Sequence, residues 1–175
     1  MTKLPEIGAS VAENSWGFLR RFTNARIALG RAGVSLPTAA HLAFQQAHAL
    51  ARDAVHIGLD AERLAKDLAA RGLDTVWMQS AAADRAIYLQ RPDLGRRLSV
   101  ESRRSLEAVA SARERQPDAV FVIADGLSAT AVQRHAAPLL DHVMPNIRRS
   151  GLHTGPIVVV EQGRVAVADE IGGLF

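Results

Sequence analysis

The stretch Asp118-Ala-Val-Phe-Val-Ile-Ala-Asp-Gly-Leu-Ser-Ala-Thr-Ala-Val-Gln-Arg-His135 sets the architecture, because an unbroken apolar run in it passes through Asp125-Gly126-Leu127-Ser128 into a helical pattern. Ala119 to Ala124 is short, rich in Val and Ile and without polar alternates, the pattern of a strand buried on both faces of a parallel sheet. Gly126 permits a turn that a side chain would resist. Ser128 is placed to cap the following helix by accepting from a free amide of its first turn. In open parallel sheets such strand-to-helix turns gather at the carboxyl edge, where free amides and helix dipoles meet ligands. Ligand contacts are expected there first, with Gly126 and Ser128 as candidates from position alone.

Outward from this stretch the same grammar repeats. On the amino-terminal side, Asp60 to Arg71 reads as a helix capped by Asp60 and stopped by Gly72, and Thr75-Val-Trp-Met-Gln79 as a strand. Ser99 to Gln116 is a charged helix with Leu106 and Val109 on its inner face. On the carboxyl side, the helix from Ser128 to about Arg149 contains Pro138 and Pro145, which predict a kink or a break. Gly155-Pro-Ile-Val-Val-Val-Glu-Gln-Gly-Arg-Val165 is a second buried-strand run, closed by a turn at Gly163, and Val167-Ala-Asp-Glu-Ile171 opens a last helix. Three strands alternating with helices predict a right-handed parallel α/β layer.

Nearer the start, Thr38 to Val55 is strongly helical with an apolar stripe of Leu42, Ala43, Ala47, Leu50 and Ala51. Glu6 to Phe22 has only a weak helical pattern. It reads as a loosely attached arm whose Trp16 and Phe22 anchor it to the protein's own body or to a partner subunit. The expected fold class is α/β: an N-terminal helical extension over residues 1–72, then an incomplete Rossmann-like three-layer unit over 73–175 with a small, mostly parallel sheet.

Composition narrows the function classes. The chain has 175 residues, 48% of them hydrophobic but only 5% aromatic, so its core is built from Ala, Leu, Val and Ile. The net charge of +3 and the pI of about 10.1 raise nucleic-acid binding. The arginine pairs Arg20-Arg21, Arg96-Arg97, Arg103-Arg104 and Arg148-Arg149 are scattered among acids, however, without the interleaved aromatics of a stacking platform, so no nucleic-acid partner is expected. The absence of cysteine excludes disulfides, thiolate metal sites and a cysteine nucleophile. The first residues lack a signal peptide's apolar core, no run is long enough to span a bilayer, and a cytoplasmic protein is expected.

No metal site and no catalytic residue is expected. His41 and His48, like His135 and His142, are seven residues apart; on a helix that separates each pair by about 10 Å along the axis, too far for one ion. Gly30-Arg-Ala-Gly33 lacks the Gly-Lys-Ser/Thr ending of a phosphate loop, and Asp125-Gly-Leu-Ser-Ala lacks the glycines of a nucleophile elbow. Asp125 at the sheet edge is placed either to act as a base or to accept from loop amides. Asp84 to Leu98, with Tyr88, a Pro92-Asp93 turn and Gly95-Arg96-Arg97, has no clean period and reads as an irregular segment, either functional or a surface loop whose arginines pair with nearby acids.

Five motifs taken in order add a resemblance. Leu29-Gly-Arg-Ala-Gly-Val-Ser-Leu-Pro-Thr38, Ala51-Arg-Asp-Ala-Val55, Tyr88-Leu-Gln-Arg-Pro-Asp-Leu-Gly-Arg-Arg-Leu98, Val122-Ile-Ala-Asp-Gly-Leu-Ser128, and Gly163-Arg-Val165 with Asp169-Glu-Ile-Gly172 resemble the small subunit of ethanolamine ammonia-lyase. The resemblance runs from about Ala25 to the last residue. It implies adenosylcobalamin as cofactor, shared with a large catalytic subunit that converts ethanolamine to acetaldehyde and ammonia. It also implies a hetero-oligomer of several copies of each subunit and association with a bacterial microcompartment. In that family the small subunit covers the cobalamin, and the family's cobalamin contact in the Gly-Arg-Val turn falls on Val165. Family members continue past Asp-Glu-Ile-Gly into another strand, a Gly-Glu-Arg-Pro-Gly turn and a Cys-Ile-Ser-Asn segment that hold further cofactor contacts. Without these, the sheet is expected to stop after its third strand. The competing expectation is an α/β subunit-interaction module that is not an enzyme and has lost cofactor binding.

Overall fold

A computed structural model describes residues 11–175. By contacts the chain divides into one unit ending at Arg52 and a second, Asp53–Phe175. In the second unit the helices and strands are α2 (Ala61–Ala69), β1 (Thr75–Gln79), α3 (Arg85–Gln90), α4 (Val100–Ser111), β2 (Ala119–Ala124), α5 (Ala129–Arg149), β3 (Thr154–Glu161) and α6 (Val167–Gly172). All three strands run parallel in the order β1-β3-β2, with Trp77 beside Val159 and Ile123 on the other side of the same residue.

The alternation of side chains along β3 builds the two cores. Ile157 and Val159 point to one face, where they meet Leu64 and Leu68 of α2 and Ala137, Leu140 and Met144 of α5. Val158 and Val160 point to the other, against Leu106 of α4, Val167 and Ile171 of α6, Met78 and Leu98. A strand covered on both faces has no use for a polar alternate, which is why Ile157-Val-Val-Val160 reads as one apolar run.

The same reasoning fails for β2. Its six residues are all only half-buried. β3, not β2, is the central strand, so β2 is left at an edge with neighbours on one side only. Apolarity alone does not reveal strand order.

Local signals act as their chemistry dictates. Asp60 accepts from the amide of Arg63 at 3.1 Å, Ser99 from Ser102 at 3.1 Å and Ser128 from Ala131 at 3.2 Å, each supplying a partner to an otherwise free amide of a first turn. Gly72 and Gly126 have φ of +65° and +53°, the left-handed region that a side chain resists. Ser128→Ala is expected to cost about 1 kcal/mol, seen as a fall of about 2–4 °C in the thermal midpoint of the isolated chain.

Three expectations need correction. Of the kink or break expected at Pro138 and Pro145, the break does not occur: α5 is one continuous helix across both. The carbonyls that each proline deprives of a partner belong to Arg134 and Asp141, both exposed, so water replaces the lost hydrogen bonds. Second, Asp84–Leu98 is not irregular throughout. Asp84 caps α3 by accepting from Ile87 at 2.8 Å, and a 3-10 turn follows at Leu94–Arg96. Six helical residues are too few to show a period. The charged helix also ends at Ser111, leaving Ala112–Gln116 as the link to Pro117 and β2.

In the first unit, Asn14 caps a 3-10 helix, Ser15–Phe22, and Ala12 pairs with Arg31 in an antiparallel bridge. The part of the expected arm before Val11 lies outside the described residues. Helix α1 (Thr38–His56) runs across the division and buries none of its residues. Trp16, Phe22, Leu42, Phe44 and Leu50 are all exposed. Among the described residues, no helix is long and apolar enough to cross a membrane.

Candidate functional site

The carboxyl ends of the three strands bring Ser80, Asp125 and Gln162-Gly163 together, and these are where the chain buries polar groups. Ser80 and Asp125 are the two polar side chains in the buried core of the described residues, at 2% and 1% exposure. Each ties the turn after β3 to a neighbouring strand. Ser80 at the end of β1 donates its hydroxyl to the carbonyl of Gln162 at 2.7 Å, while its oxygen accepts from the amide of Ala82 at 3.1 Å. Asp125 at the end of β2 accepts from the amide of Gly163 at 3.1 Å. Gln162 itself has φ of +54°, unusual for a residue with a side chain, and these two anchors hold it there.

Asp125 is therefore an acceptor for loop amides. Burial raises its pKa above the ordinary carboxylate value, opposed by the amides of Gln162, Gly163 and Gly126 and by the charge of Arg85. Arg85 Nη1 lies 3.7 Å from Asp125 Oδ2, and also donates to Gln162 Oε1 at 3.3 Å. Its Nε donates to the carbonyl of Val55 at 2.6 Å.

A second guanidinium completes the cluster. Arg85 and Arg164 each lie 4.5 Å from the centroid of the Tyr88 ring, within the range of a cation–π attraction. Tyr88 is 1% exposed; burial raises its pKa, and the two arginines oppose that rise. Arg164 Nη2 donates to the carbonyl of Tyr88 at 2.9 Å, and the Arg164 amide donates to Gly95 at 2.7 Å. A side chain at Gly95 would come within 3.0 Å of Arg164 Cγ and 3.2 Å of both the Gln162 carbonyl and the Tyr88 ring. Any larger residue there would force these neighbours to give way. The buried Arg85 Nη2 and Arg164 Nε have no hydrogen-bond partner among the described residues.

Next to this cluster stands Val165, in the turn between β3 and α6, 91% exposed. Its apolar side chain stands out in solvent on a turn whose backbone is anchored at three points. Gly126 and Ser128 lie on the same edge, in the β2–α5 turn. A side chain at Gly126 would find nothing nearer than the Ala124 carbonyl at 3.9 Å, so the surface there is open, and Leu127 between the two is 55% exposed. Among the hydrogen bonds of the described residues, Ser128 accepts from Ala131 and Asp125 from Gly163, and none joins Asp125, Ser128 and His135.

Sequence reasoning singled out Val165, Gly126, Ser128 and Asp125 but missed Ser80, Arg85, Gln162 and the part played by Arg164. Tyr88, Gly95, Asp125 and Gly163-Arg164-Val165 come from three separate motifs, and the fold packs them around one turn. That convergence, in which motif glycines and arginines serve one another's packing, was the available signal.

Comparison with known proteins agrees with the motif order. The family model described as ethanolamine ammonia-lyase light chain matches residues 13–175. Among curated relatives, the ethanolamine ammonia-lyase small subunit of Azotobacter vinelandii is 59% identical over 163 residues, 93% of this chain and 60% of the relative. Proteins of the same name from Ralstonia nicotianae and Pseudomonas fluorescens are 57% and 54% identical, covering 94% and 99% of this chain and 61% and 62% of their own lengths. The chain thus spans about 60% of the length of the relatives it matches. With a match that covers the whole sheet and every residue of the edge cluster, the chain belongs to the ethanolamine ammonia-lyase light chain family.

Proposed function

We propose that this chain is the small subunit of an adenosylcobalamin-dependent ethanolamine ammonia-lyase, covering the cofactor against a catalytic large subunit and contributing no catalytic residue of its own. Val165 faces the cofactor most directly, with Gly126 and Ser128 at the margin of the contact. The observation that supports this reading is the 91% exposure of Val165 on an anchored turn at the carboxyl edge of a parallel sheet.

The residues present fit such a group. Val165 and Leu127 offer apolar surface to a flat macrocycle, and the open surface at Gly126 allows close approach of backbone. Adenosylcobalamin, when bound, supplies the radical chemistry by which ethanolamine becomes acetaldehyde and ammonia. The chain's part is to hold the group, orient it and exclude water from one side. Trp16, Phe22, and Leu42 and Leu50 of the α1 stripe, all exposed, suit contact with the large subunit in a hetero-oligomer of several copies of each. The proposed setting is the cytoplasm, in association with a bacterial microcompartment.

Co-purification with the cognate large subunit, followed by a cobalamin absorbance spectrum and an ethanolamine deamination assay, tests the proposal. A coloured, active complex is expected. A stable complex that is colourless and inactive would overturn the cofactor role and favour an interaction module; absence of any complex would overturn the subunit role as well.

A further inference from the structure

The edge cluster contains more anchoring than a surface turn needs. Four contacts converge on Gln162–Val165: Ser80 on the Gln162 carbonyl, Asp125 on the Gly163 amide, Gly95 on the Arg164 amide, and the Arg164 guanidinium on Tyr88. Three of these use backbone groups of the turn. The fourth uses a side chain that belongs to the turn itself and reaches back into the body of the domain, placing a charged group over a buried ring and on its carbonyl at 2.9 Å.

The arrangement has a cost that stability alone does not explain. Arg164 Nε is buried without a partner among the described residues, as is Nη2 of the neighbouring Arg85; two like charges share one aromatic ring, and only Arg85 lies against a carboxylate, Asp125 at 3.7 Å. Unsatisfied groups of this kind persist where the surroundings over-determine a conformation that is useful in itself. The residue that follows directly is Val165, which no contact of its own side chain holds: at 91% exposure its position is set entirely by the backbone behind it.

Resting on the function proposed above, we infer that Arg164, clamped on Tyr88 beside Gly95, is a positioning residue that preorganises the turn and so presents Val165 to the cofactor in its binding pose. It touches no ligand. It acts by removing the conformational freedom that binding would otherwise have to remove, and that freedom is a direct loss of affinity. The planar guanidinium is essential to it, because a lysine ammonium can neither stack flat on the ring nor reach the Tyr88 carbonyl in the same fork geometry.

The test compares Arg164→Ala, Arg164→Lys and Tyr88→Phe, with two readouts. In the free chain, amide hydrogen exchange at Gly163 and position 164 should accelerate about tenfold or more in both Arg164 variants, while the Val159 amide in the core keeps its rate. In the complex with the large subunit, cobalamin titration should show affinity about tenfold weaker for Arg164→Ala and intermediate for Arg164→Lys, with the affinity between subunits unchanged. Tyr88→Phe, which keeps the ring and the carbonyl, should behave as wild type in both. Should Arg164→Ala fail to fold, Arg164→Met keeps the aliphatic stem and takes its place. Exchange at the turn that stays at the wild-type rate would overturn the clamp. Faster exchange with unchanged cobalamin affinity would overturn its role in presentation while leaving the cofactor reading intact. A wild-type complex that binds no cobalamin would overturn the cofactor reading and this inference together, whatever the exchange rates.

Discussion

Asp125→Ala is expected to destabilise the chain by about 3–5 kcal/mol, the cost of removing one partner from a buried ion pair. For a chain of this size that is a fall of roughly 10 °C in the thermal midpoint. The side chain is 1% exposed, and its loss strips the Gly163 amide of its acceptor and leaves Arg85 facing Gln162 with no counter-charge. Asp125→Asn keeps an acceptor for the amide and should cost less. The pH dependence separates the two contributions. Burial raises the folded pKa of Asp125 above its unfolded value, so the stability this group contributes is complete below the unfolded pKa and declines as pH rises through the folded one. Wild type should therefore lose ground relative to Asp125→Asn between acid and neutral pH, as read by denaturant melts across that range. A gap that widens with pH would show that Arg85 and the three amides outweigh burial.

Val165→Asp should leave the fold untouched and abolish cofactor retention. At 91% exposure the side chain makes no packing that the free chain would miss, and the thermal midpoint should move by no more than about 1 °C. In the complex the new carboxylate would be pressed against the cofactor without a partner. The cost of burying it, at least about 3 kcal/mol, corresponds to a loss of affinity of a hundredfold or more. Val165→Ala removes two methyl groups and should weaken binding about tenfold. Titration of the reconstituted complex with cobalamin measures both. If Val165→Asp binds as tightly as wild type, the turn after β3 does not meet the cofactor.

The strands and caps were legible because each rests on short-range chemistry. Thr75–Gln79 and Ala119–Ala124 emerge with the bounds the sequence predicts, and Asp60 and Ser128 sit in front of their helices as caps. What depends on distant partners was not legible. β2 is no less apolar than β3, and only the pairing shows that β3 lies in the centre. α3 was too short to declare itself by periodicity, although Asp84, the residue that starts it, was in plain view. At the site, Val165 came from motif resemblance. Arg85 and Arg164 looked like two more arginines in a basic chain until the fold placed both against Tyr88.

The strand order has a kinetic consequence. β1 and β2 do not pair with each other; both wait for β3, the last of these three strands to be synthesised. Until Thr154–Glu161 has been synthesised there is no sheet, and Trp77, Met78, Phe121 and Ile123 have no strand to pack beside. Local helices can form early, but the contacts that define the fold join residues as far apart as Trp77 and Val159. Such non-local closure makes folding slow and leaves the apolar segments of β1 and β2 open until β3 has been made. The nascent chain is thus at its most vulnerable to aggregation and to chaperone capture just before its central strand arrives.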